Sequence, residues 1–217
     1  MEKILIVGAT GSTGKRIIEI LNNSQSFEPV AMIRKEEQKS IFEDMEVQWV
    51  HGDLEQDDLD PVMKDIDKVI FAAGSGGDTG PGKTTEVDEE GAIKIIDAAK
   101  NSKVKKFIML SSMGADEPSS HKELEHYLNA KAAADKHLKE SGLNYTILRP
   151  GALTDDLGTG KVELAQKLDG QGEIPRDDVA FLLIMSLADP LVKNMTFEAI
   201  EGEEPIKSAM IELSQRY

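Results

Sequence analysis

The feature that most constrains the fold is the stretch KILIVGATGSTG, from Lys3 to Gly14. An apolar segment, Ile4 to Val7, runs directly into three glycines, and apolar residues then recur at the spacing of a helix. This order predicts a buried strand, a tight turn and a helix. A helix N-terminus offers unpaired N–H groups and a positive partial charge, and glycines let a ligand approach the backbone closely. The stretch therefore predicts a site for the pyrophosphate of a dinucleotide. The alternative is a tight turn that binds no ligand.

The three glycines are spaced GxxGxxG, which differs from the GxGxxG of the common dinucleotide-binding fingerprint. A glycine pattern alone is weak evidence. Its position after the first strand and before the first helix is what favours cofactor binding. We expect the residues of the turn and of the helix start to contact the cofactor, namely Gly8, Thr10, Gly11, Ser12, Thr13 and Gly14.

The composition excludes several classes of protein. With 217 residues and no clear break, the chain is expected to form one domain, residues 1–217. The absence of cysteine excludes disulfides and thiol nucleophiles, and none of the four histidines has the spacing of a metal site, so no bound metal is expected. A formal charge of −15 opposes nucleic-acid binding. No apolar stretch is long enough to span a membrane, so we expect a cytoplasmic protein with a small-molecule substrate and no membrane partner. The oligomeric state stays open.

The end of the second predicted strand, Pro29 to Ile33, indicates which dinucleotide binds. Arg34 lies 20 positions after Gly14 and is followed by Lys35. An acidic residue at this point binds the adenosine ribose of NAD, whereas an arginine suits the 2′-phosphate of NADP. A guanidinium binds a phosphate through paired, charge-assisted hydrogen bonds. Arg34 and Lys35 therefore predict NADP(H) rather than NAD(H). The alternative is a solvated arginine at a strand end.

A third predicted strand, Val47 to Val50, is followed by Asp53. Ligands bind at the carboxyl ends of the strands in open α/β sheets, so Asp53 is placed to accept a hydrogen bond from an adenine amino group. An equally good interpretation is an N-cap for the segment that begins near Gln56.

A fourth predicted strand, Lys68 to Ala73, leads into a glycine-rich run that matches the P-loop pattern from Gly77 to Thr84. Pro81 removes one of the backbone donors that would bind phosphate, and no later strand ends in the aspartate that helps to hold magnesium. The run is therefore interpreted as a loop over the nicotinamide half of the cofactor and not as a nucleoside triphosphate site.

A trio of polar residues follows the fifth predicted strand, Lys106 to Leu110. The strand ends in Ser111 and Ser112, and a later helix carries Tyr127 and Lys131, four residues apart and so on one face. A phenol has a pKa near 10 and needs a nearby cation to exchange protons at neutral pH, and Lys131 is placed to be that cation. Ser112 would hydrogen-bond the same substrate oxygen. The alternative is chance spacing on a surface helix.

In the last third of the chain, the apolar pattern predicts a sixth strand, Leu143 to Leu148, which is ended by RPG at residues 149–151. Residues 154–178 are polar and rich in glycine, and we expect substrate contacts there. Asp177 or Asp178 can cap the apolar helix that follows. The elements expected here are a strand at Lys161 to Ala165, a helix at Val179 to Ala188, a strand at Met195 to Ile200 and a helix at Ile206 to Leu213.

Seven motifs in order make the chain resemble the short-chain dehydrogenase/reductase superfamily, and more narrowly its atypical branch of small NAD(P)-binding proteins. They are GATGSTG at 8–14, Arg34, GDL at 52–54, AAG at 72–74, LSS at 110–112, YLNAK at 127–131 and RPG at 149–151. The resemblance implies an α/β fold, with a doubly wound parallel Rossmann sheet, helices on both faces and a small substrate-side region at 151–217. The further cofactor contacts that it predicts are Asp53, Leu54, Ala72, Ala73, Gly74, Ser111, Lys131, Pro150 and Gly151.

The resemblance also implies a reaction in which Ser112, Tyr127 and Lys131 handle a proton while NADPH passes a hydride. The first hypothesis is thus an NADP(H)-dependent oxidoreductase for a small carbonyl compound or a flavin-like acceptor. A non-catalytic NADP(H) sensor is the second. Only 66 residues follow Gly151, which is short for the sugar-nucleotide lobe of the larger epimerases, so an epimerase-like enzyme is a weaker third.

Overall fold

The computed structural model describes residues 1–56, 58–75, 81–188 and 191–216, with only the backbone described at Pro81 and Lys83. Eleven strands lie within these ranges. They are β1 (Glu2–Val7), β2 (Phe27–Ile33), β3 (Gln48–His51), β4 (Lys68–Phe71), β5 (Lys106–Leu110), β6 (Tyr145–Pro150), β7 (Ala152–Thr154), β8 (Lys161–Ala165), β9 (Glu173–Pro175), β10 (Met195–Glu201) and β11 (Glu204–Pro205).

The described residues form seven α-helices. They are α1 (Ser12–Asn22), α2 (Lys39–Glu43), α3 (Pro81–Thr84), α4 (Ala92–Lys100), α5 (Glu125–Glu140), α6 (Arg176–Met185) and α7 (Ile206–Arg216). A π-helical segment, Thr85–Gly91, joins α3 to α4. Such wide turns are rare overall, and those that occur are often found at functional sites. Within the described ranges, none of the helices is both long and apolar enough to cross a lipid bilayer.

Nine strands form one sheet in the order β11-β8-β10-β6-β5-β4-β1-β2-β3. The seven strands from β10 to β3 are parallel, whereas β8 and β11 complete the far edge in antiparallel pairs. The strand order reverses at β1, which lies between β4 and β2. Open α/β sheets bind ligands in the crevice that such a reversal leaves outside the carboxyl ends of the strands. Strands β7 and β9 pair separately.

Both faces of the sheet are covered, because successive apolar side chains along a strand are buried in two different clusters. In β1, Ile4 and Ile6 join one apolar cluster, while Leu5 and Val7 join the other. Successive strand side chains point to opposite faces, so a strand that is apolar throughout must be buried on both. Helices α1, α6 and α7 pack on the first cluster, and α4 and α5 pack on the second. The predicted α/β fold with a mostly parallel central sheet is therefore confirmed.

Several element boundaries differ by a few residues from the sequence prediction, and β6 and α6 show why. Strand β6 continues through Arg149 and Pro150, since these residues pair with Glu198 and Ala199 of β10. Helix α6 starts at Arg176, before the apolar run on which the prediction was based. Both extensions consist of polar or cyclic residues. Such residues give no apolar pattern, so the regular backbone that tertiary packing imposes on them is not predicted from the sequence.

Candidate active site

Two of the three glycines in the first turn are required by packing. A Cβ on Gly8, whose φ is +88°, would lie 2.6 Å from the backbone nitrogen of Ala73. A Cβ on Gly14 would lie 2.1 Å from the Gly8 carbonyl oxygen. Such approaches to backbone atoms cannot be relieved by side-chain rotation. The loop after β1 is therefore pressed against both α1 and the end of β4.

Gly11, the middle glycine, is free of this constraint. A Cβ there would meet only the Gly8 carbonyl oxygen, at 3.3 Å, and the residue is exposed. Gly11 is the N-cap of α1, and no side chain caps the helix. The first-turn N–H groups, at Ser12, Thr13 and Gly14, thus keep the positive helix end available to an anion.

The unequal roles of the glycines predict a contrast between two alanine variants. Gly14→Ala is expected to lower the free energy of unfolding by about 3 kcal/mol, because the new Cβ overlaps backbone. Gly11→Ala is expected to change stability by less than about 1 kcal/mol, yet to weaken cofactor binding by filling the space before the helix N-terminus. Urea unfolding and cofactor titration measure the two effects. Equal stability losses in both variants would contradict these assignments.

A cavity of about 270 Å³ opens beyond the glycine turn, between the ends of β1, β2 and β3. We refer to it as the Arg34 cavity. Its lining includes these predicted cofactor contacts: Gly8, Thr10, Gly11, Arg34, Asp53, Leu54, Ala72, Ala73 and Gly74. The Arg34 side chain is 52% exposed, and its Nη1 lies 3.6 Å from Glu55 Oε1. Because this ion pair is weak and the side chain is half exposed, the guanidinium is able to bind a phosphate. Lys35 does not line the cavity.

Gln38 holds the loop that carries Arg34. Its Oε1 accepts hydrogen bonds from the backbone N–H groups of Arg34 and Lys35, both at 3.0 Å. Its Nε2 lies 3.4 Å from Thr10 Oγ1 across the cavity. Gln38 was not predicted from the sequence, since a glutamine in a polar loop gives no distinct signal. Asp53 Oδ1 accepts a hydrogen bond from the Glu55 N–H at 2.9 Å, so Asp53 stabilises a turn as well as lining the cavity.

A second and larger cavity, of about 600 Å³, contains Tyr127 and Lys131. We refer to it as the Tyr127 cavity. Ser12, Thr13 and Ser111 also line it. The two cavities share Gly11 and residues 72–75, so together they form one continuous groove along the carboxyl edge of the sheet. The groove runs from Arg34 at one end to Tyr127 at the other.

Lys131 is buried beside Tyr127 and is paired with a carboxylate. Its Nζ lies 2.9 Å from Asp88 Oδ1, 3.4 Å from the Leu110 carbonyl oxygen and 5.5 Å from the centre of the Tyr127 ring. Asp88 has no exposed surface, and its Oδ2 accepts a hydrogen bond from the Ser75 N–H at 2.9 Å. Burial alone would lower the pKa of Lys131, but Tyr127 and the Asp88 carboxylate hold that pKa above its usual value. The Lys131 ammonium is therefore a fixed cation at this end of the groove.

Asp88 was also missed from sequence, although a signal was present. It lies in the π-helical segment and is spaced with Gly91, Ala92 and Ile95 on a buried face. A carboxylate on an apolar helix face is costly unless a cation meets it. That rule could have indicated a buried partner.

The two serines after β5 are divided between different cavities. Ser111 lines the Tyr127 cavity, and its Oγ donates to Asp135 Oδ2 at 3.0 Å. The predicted catalytic Ser112 instead lines a third cavity, and its Oγ donates to the Met113 carbonyl oxygen at 3.2 Å. The structure thus brings Tyr127 and Lys131 together in one cavity but leaves Ser112 in the next.

This third cavity, of about 270 Å³, lies between the ends of β5, β6 and β10. We refer to it as the Glu198 cavity. Pro150 and Gly151, predicted as cofactor contacts, line it and not the groove. Leu124 lines both this cavity and the Tyr127 cavity, so the two adjoin.

A buried ionic network underlies the two adjoining cavities. The Arg149 guanidinium donates to Asp135 Oδ2 from Nε at 2.9 Å and from Nη2 at 2.8 Å, and its Nη1 lies 3.7 Å from Asp116. Burial raises the pKa of Asp135 even though Arg149 opposes that shift. Partial burial would also raise the pKa of Asp116, but the hydrogen bond from Lys167 brings it below its usual value. The Arg149–Asp135 pair thus links β6 to α5, and Ser111 is hydrogen-bonded to the same aspartate.

Asp177 and Asp178 stabilise a loop and do not cap the helix that follows. The Asp178 carboxylate accepts hydrogen bonds from the Thr159 and Gly160 N–H groups, both at 2.9 Å. Asp177 Oδ2 accepts one from the Gly158 N–H at 3.2 Å.

The P-loop-like run falls partly on residues 76–80, which lie outside the described residues, and its end from Pro81 to Thr84 is helical.

The groove fits a dinucleotide on structural grounds. Its centre is the uncapped N-terminus of α1, where Gly11 alone among the three glycines leaves room in front of the helix. Backbone N–H groups there suit a pyrophosphate. The Arg34 guanidinium lies toward one end, and the buried Lys131 ammonium lies toward the other. Ser12, Thr13 and Gly11 could hold the phosphates, and Arg34 and Lys131 the two ribose ends.

Comparison with known proteins agrees with this geometry. The chain is 41% identical over 214 residues to a Bacillus subtilis protein named as an uncharacterized sugar epimerase, covering 97% of this chain and 100% of that relative. A Bacillus halodurans structure, assigned by name to the NAD-dependent epimerases/dehydratases, is 37% identical, has a TM-score of 0.92 and covers 100% of both chains. The oxidoreductase ylbE from Lactococcus lactis is 29% identical, with a TM-score of 0.85 over 98% of this chain and 97% of that one.

Residues 8–190 match the family described as NAD(P)H-binding. The matched segment includes the glycine turn, the lining of both cavities of the groove except Val7, and the Tyr127–Lys131 pair. The Bacillus halodurans and Lactococcus lactis structures share the fold of this chain over almost its full length. This chain therefore belongs to the NAD(P)H-binding family.

Proposed function

We propose that the protein is an NADP(H)-dependent oxidoreductase that reduces a small carbonyl compound or a flavin-like acceptor in the Tyr127 cavity. The observation that carries this proposal is the continuous groove from Arg34 to the Tyr127–Lys131 pair. A relative of similar length, the Lactococcus lactis protein, is named as an oxidoreductase. When bound, NADPH supplies the hydride.

The protein residues supply and position the proton. Tyr127, which is half-buried, would donate its hydroxyl proton to the acceptor oxygen. The Lys131 ammonium stabilises the resulting phenolate, because an adjacent cation favours the ionised form of a phenol. Asp88 acts as a positioning residue, since it holds the Lys131 Nζ and the Ser75 N–H at the same time. Ser112 would contact the acceptor from the adjoining cavity.

The preference for NADP(H) depends on Arg34. Arg34→Ala is expected to raise the Kd of NADPH about 10- to 100-fold, because hydrogen bonds to charged groups contribute about 1.5 to 3 kcal/mol each. The Kd of NADH should change by less than about threefold, since NADH has no 2′-phosphate. Fluorescence titration of both cofactors measures these constants.

Lys35→Ala is the matched control because it removes the same charge one residue later. Its side chain is exposed and does not line the Arg34 cavity. Equal losses for NADPH and NADH in Arg34→Ala would show that Arg34 does not read the 2′-phosphate.

The test of the proposed reaction is net oxidation of NADPH, followed by its absorbance, against a panel of aldehydes, ketones, quinones and free flavins. We expect saturable oxidation with at least one acceptor, and a higher kcat/KM with NADPH than with NADH. Tight cofactor binding without oxidation by any acceptor would instead support a non-catalytic NADP(H)-binding protein. The pairing of Lys131 with Asp88 favours that second candidate, since the carboxylate offsets part of the charge that acts on Tyr127.

The name of the Bacillus subtilis relative suggests a sugar epimerase as the third candidate. Epimerisation returns the cofactor to its starting state, so it consumes no NADPH overall. The same assay therefore separates it from the proposed reduction. Conversion of a sugar nucleotide to its epimer without net NADPH oxidation would support this candidate.

A further inference from the structure

The Glu198 cavity contains a buried carboxylate that is only half satisfied. Glu198 is 1% exposed and lines the cavity. Its Oε2 accepts a hydrogen bond from the Leu168 N–H at 2.7 Å. Its Oε1 has no hydrogen-bond partner among the described residues. A buried carboxylate oxygen without a donor is costly, so a ligand that supplies the donor is favoured.

The nearest cation does not satisfy this oxygen. Lys167 Nζ lies 3.8 Å from Glu198 Oε1, beyond hydrogen-bond distance, and it is hydrogen-bonded to Asp116 Oδ2. The Lys167 side chain is 52% exposed, so it can shift as a ligand enters. The cavity therefore retains an acceptor that lacks a protein donor.

The rest of the lining combines the polar Ser112, His121 and Gln171 with apolar side chains that suit a compact molecule with an apolar body. Met113, Leu124, Leu128 and Leu168 contribute apolar surface. The cavity volume, about 270 Å³, lies just below the range of about 300 to 1,000 Å³ that is typical of sites for drug-sized ligands. One or two fused rings suit such a space.

We propose that the Glu198 cavity is the acceptor-binding subsite, and that it selects small ring compounds whose N–H group donates a hydrogen bond to Glu198 Oε1. The inference rests on the proposed function for its location, because the cavity adjoins the Tyr127 cavity at Leu124. It adds the substrate class, namely a carbonyl compound with a ring amide or amine N–H.

The test uses two probes, isatin, a ring lactam with a free N–H, and N-methylisatin, in which a methyl group replaces that hydrogen; a preference that arises from the bulk of the methyl group would survive in the Glu198 variant described next. Ligand-observed NMR measures the Kd of each probe with the NADP⁺-loaded protein. Wild type is expected to bind isatin about 10- to 100-fold more tightly than N-methylisatin, the factor given by one hydrogen bond to a charged group.

Glu198→Gln reverses the polarity of the site. The amide oxygen of glutamine can still accept from the Leu168 N–H, while the amide nitrogen replaces Oε1 with a donor. The preference for isatin should therefore fall to less than about twofold. Glu201→Gln on the same strand is the matched control, since Glu201 is exposed and does not line the cavity. It should keep the full preference.

Equal affinity of wild type for both probes, no saturable binding of either, or an isatin preference that survives in Glu198→Gln would each overturn the inference. Thermal melting of both variants verifies that they fold. Because binding is measured without turnover, a clear isatin preference would stand even if NADPH oxidation were absent. The failure of the proposed reaction is thereby distinguished from the failure of the subsite.

Discussion

Replacing Tyr127 with phenylalanine is expected to lower kcat for NADPH-dependent reduction by a factor of about 10² to 10⁴, the usual contribution of general acid catalysis. The Tyr127 hydroxyl is the proposed proton donor, and its ring lies 5.5 Å from the buried Lys131 Nζ. The change removes only the hydroxyl group. Cofactor affinity and the free energy of unfolding should therefore stay close to those of wild type.

Tyr145→Phe is the control for this prediction. Tyr145 is half-buried on β6 and lines neither cavity of the groove. The same atom is removed outside the site, so kcat should be unchanged. Full activity in Tyr127→Phe would remove Tyr127 from the mechanism, and an equal loss in both variants would indicate a structural effect.

Replacing Lys131 with methionine is expected to destabilise the protein by about 3 to 5 kcal/mol as well as to abolish turnover. The substitution preserves length but removes the ammonium that pairs with Asp88, which has no exposed surface. Removing one partner of a buried ion pair leaves an uncompensated charge, and that loss is much larger than the net contribution of an exposed pair. Urea unfolding gives the free energies.

The double variant Lys131→Met with Asp88→Asn isolates this cause. The asparagine keeps an oxygen that can accept the Ser75 N–H but carries no charge. It should recover most of the lost stability while turnover stays absent, because the cation beside Tyr127 is still missing. If the double variant is no more stable than Lys131→Met alone, the buried pair is not the source of the loss.

The sequence predicted the fold well because the apolar pattern is strong where the sheet is covered on both faces. The segments ILIV and FIML are apolar throughout, and they lie in β1 and β5 as expected. The short strands β7 and β9 were missed, since three-residue strands have no measurable period. They are fixed by tertiary contacts, such as the hydrogen bond from the Ala152 N–H to the Gly172 carbonyl oxygen. That residues 1–217 form a single domain stays a prediction.

The candidate site was predictable where a residue type has one clear chemical use. Arg34 and the Tyr127–Lys131 pair lie at opposite ends of the groove, while their roles in binding and catalysis stay predictions. Asp88 was missed although its spacing on a buried helix face gave a signal, whereas Glu198 was not found because its significance depends on burial and on an oxygen without a hydrogen-bond donor, which spacing along the chain does not reveal. The choice between Ser111 and Ser112 likewise depends on which cavity each side chain enters. Cofactor preference, reaction and cellular location remain predictions.

The most direct test of the central claim is the transfer of deuterium from NADPH labelled at nicotinamide C4 into the reduced acceptor, followed by mass spectrometry in a single turnover. We predict that one face of the labelled cofactor delivers deuterium to the product, and that Tyr127→Phe slows this transfer by the factor given above. Stable binding of labelled NADPH with no deuterium in any product would contradict the account.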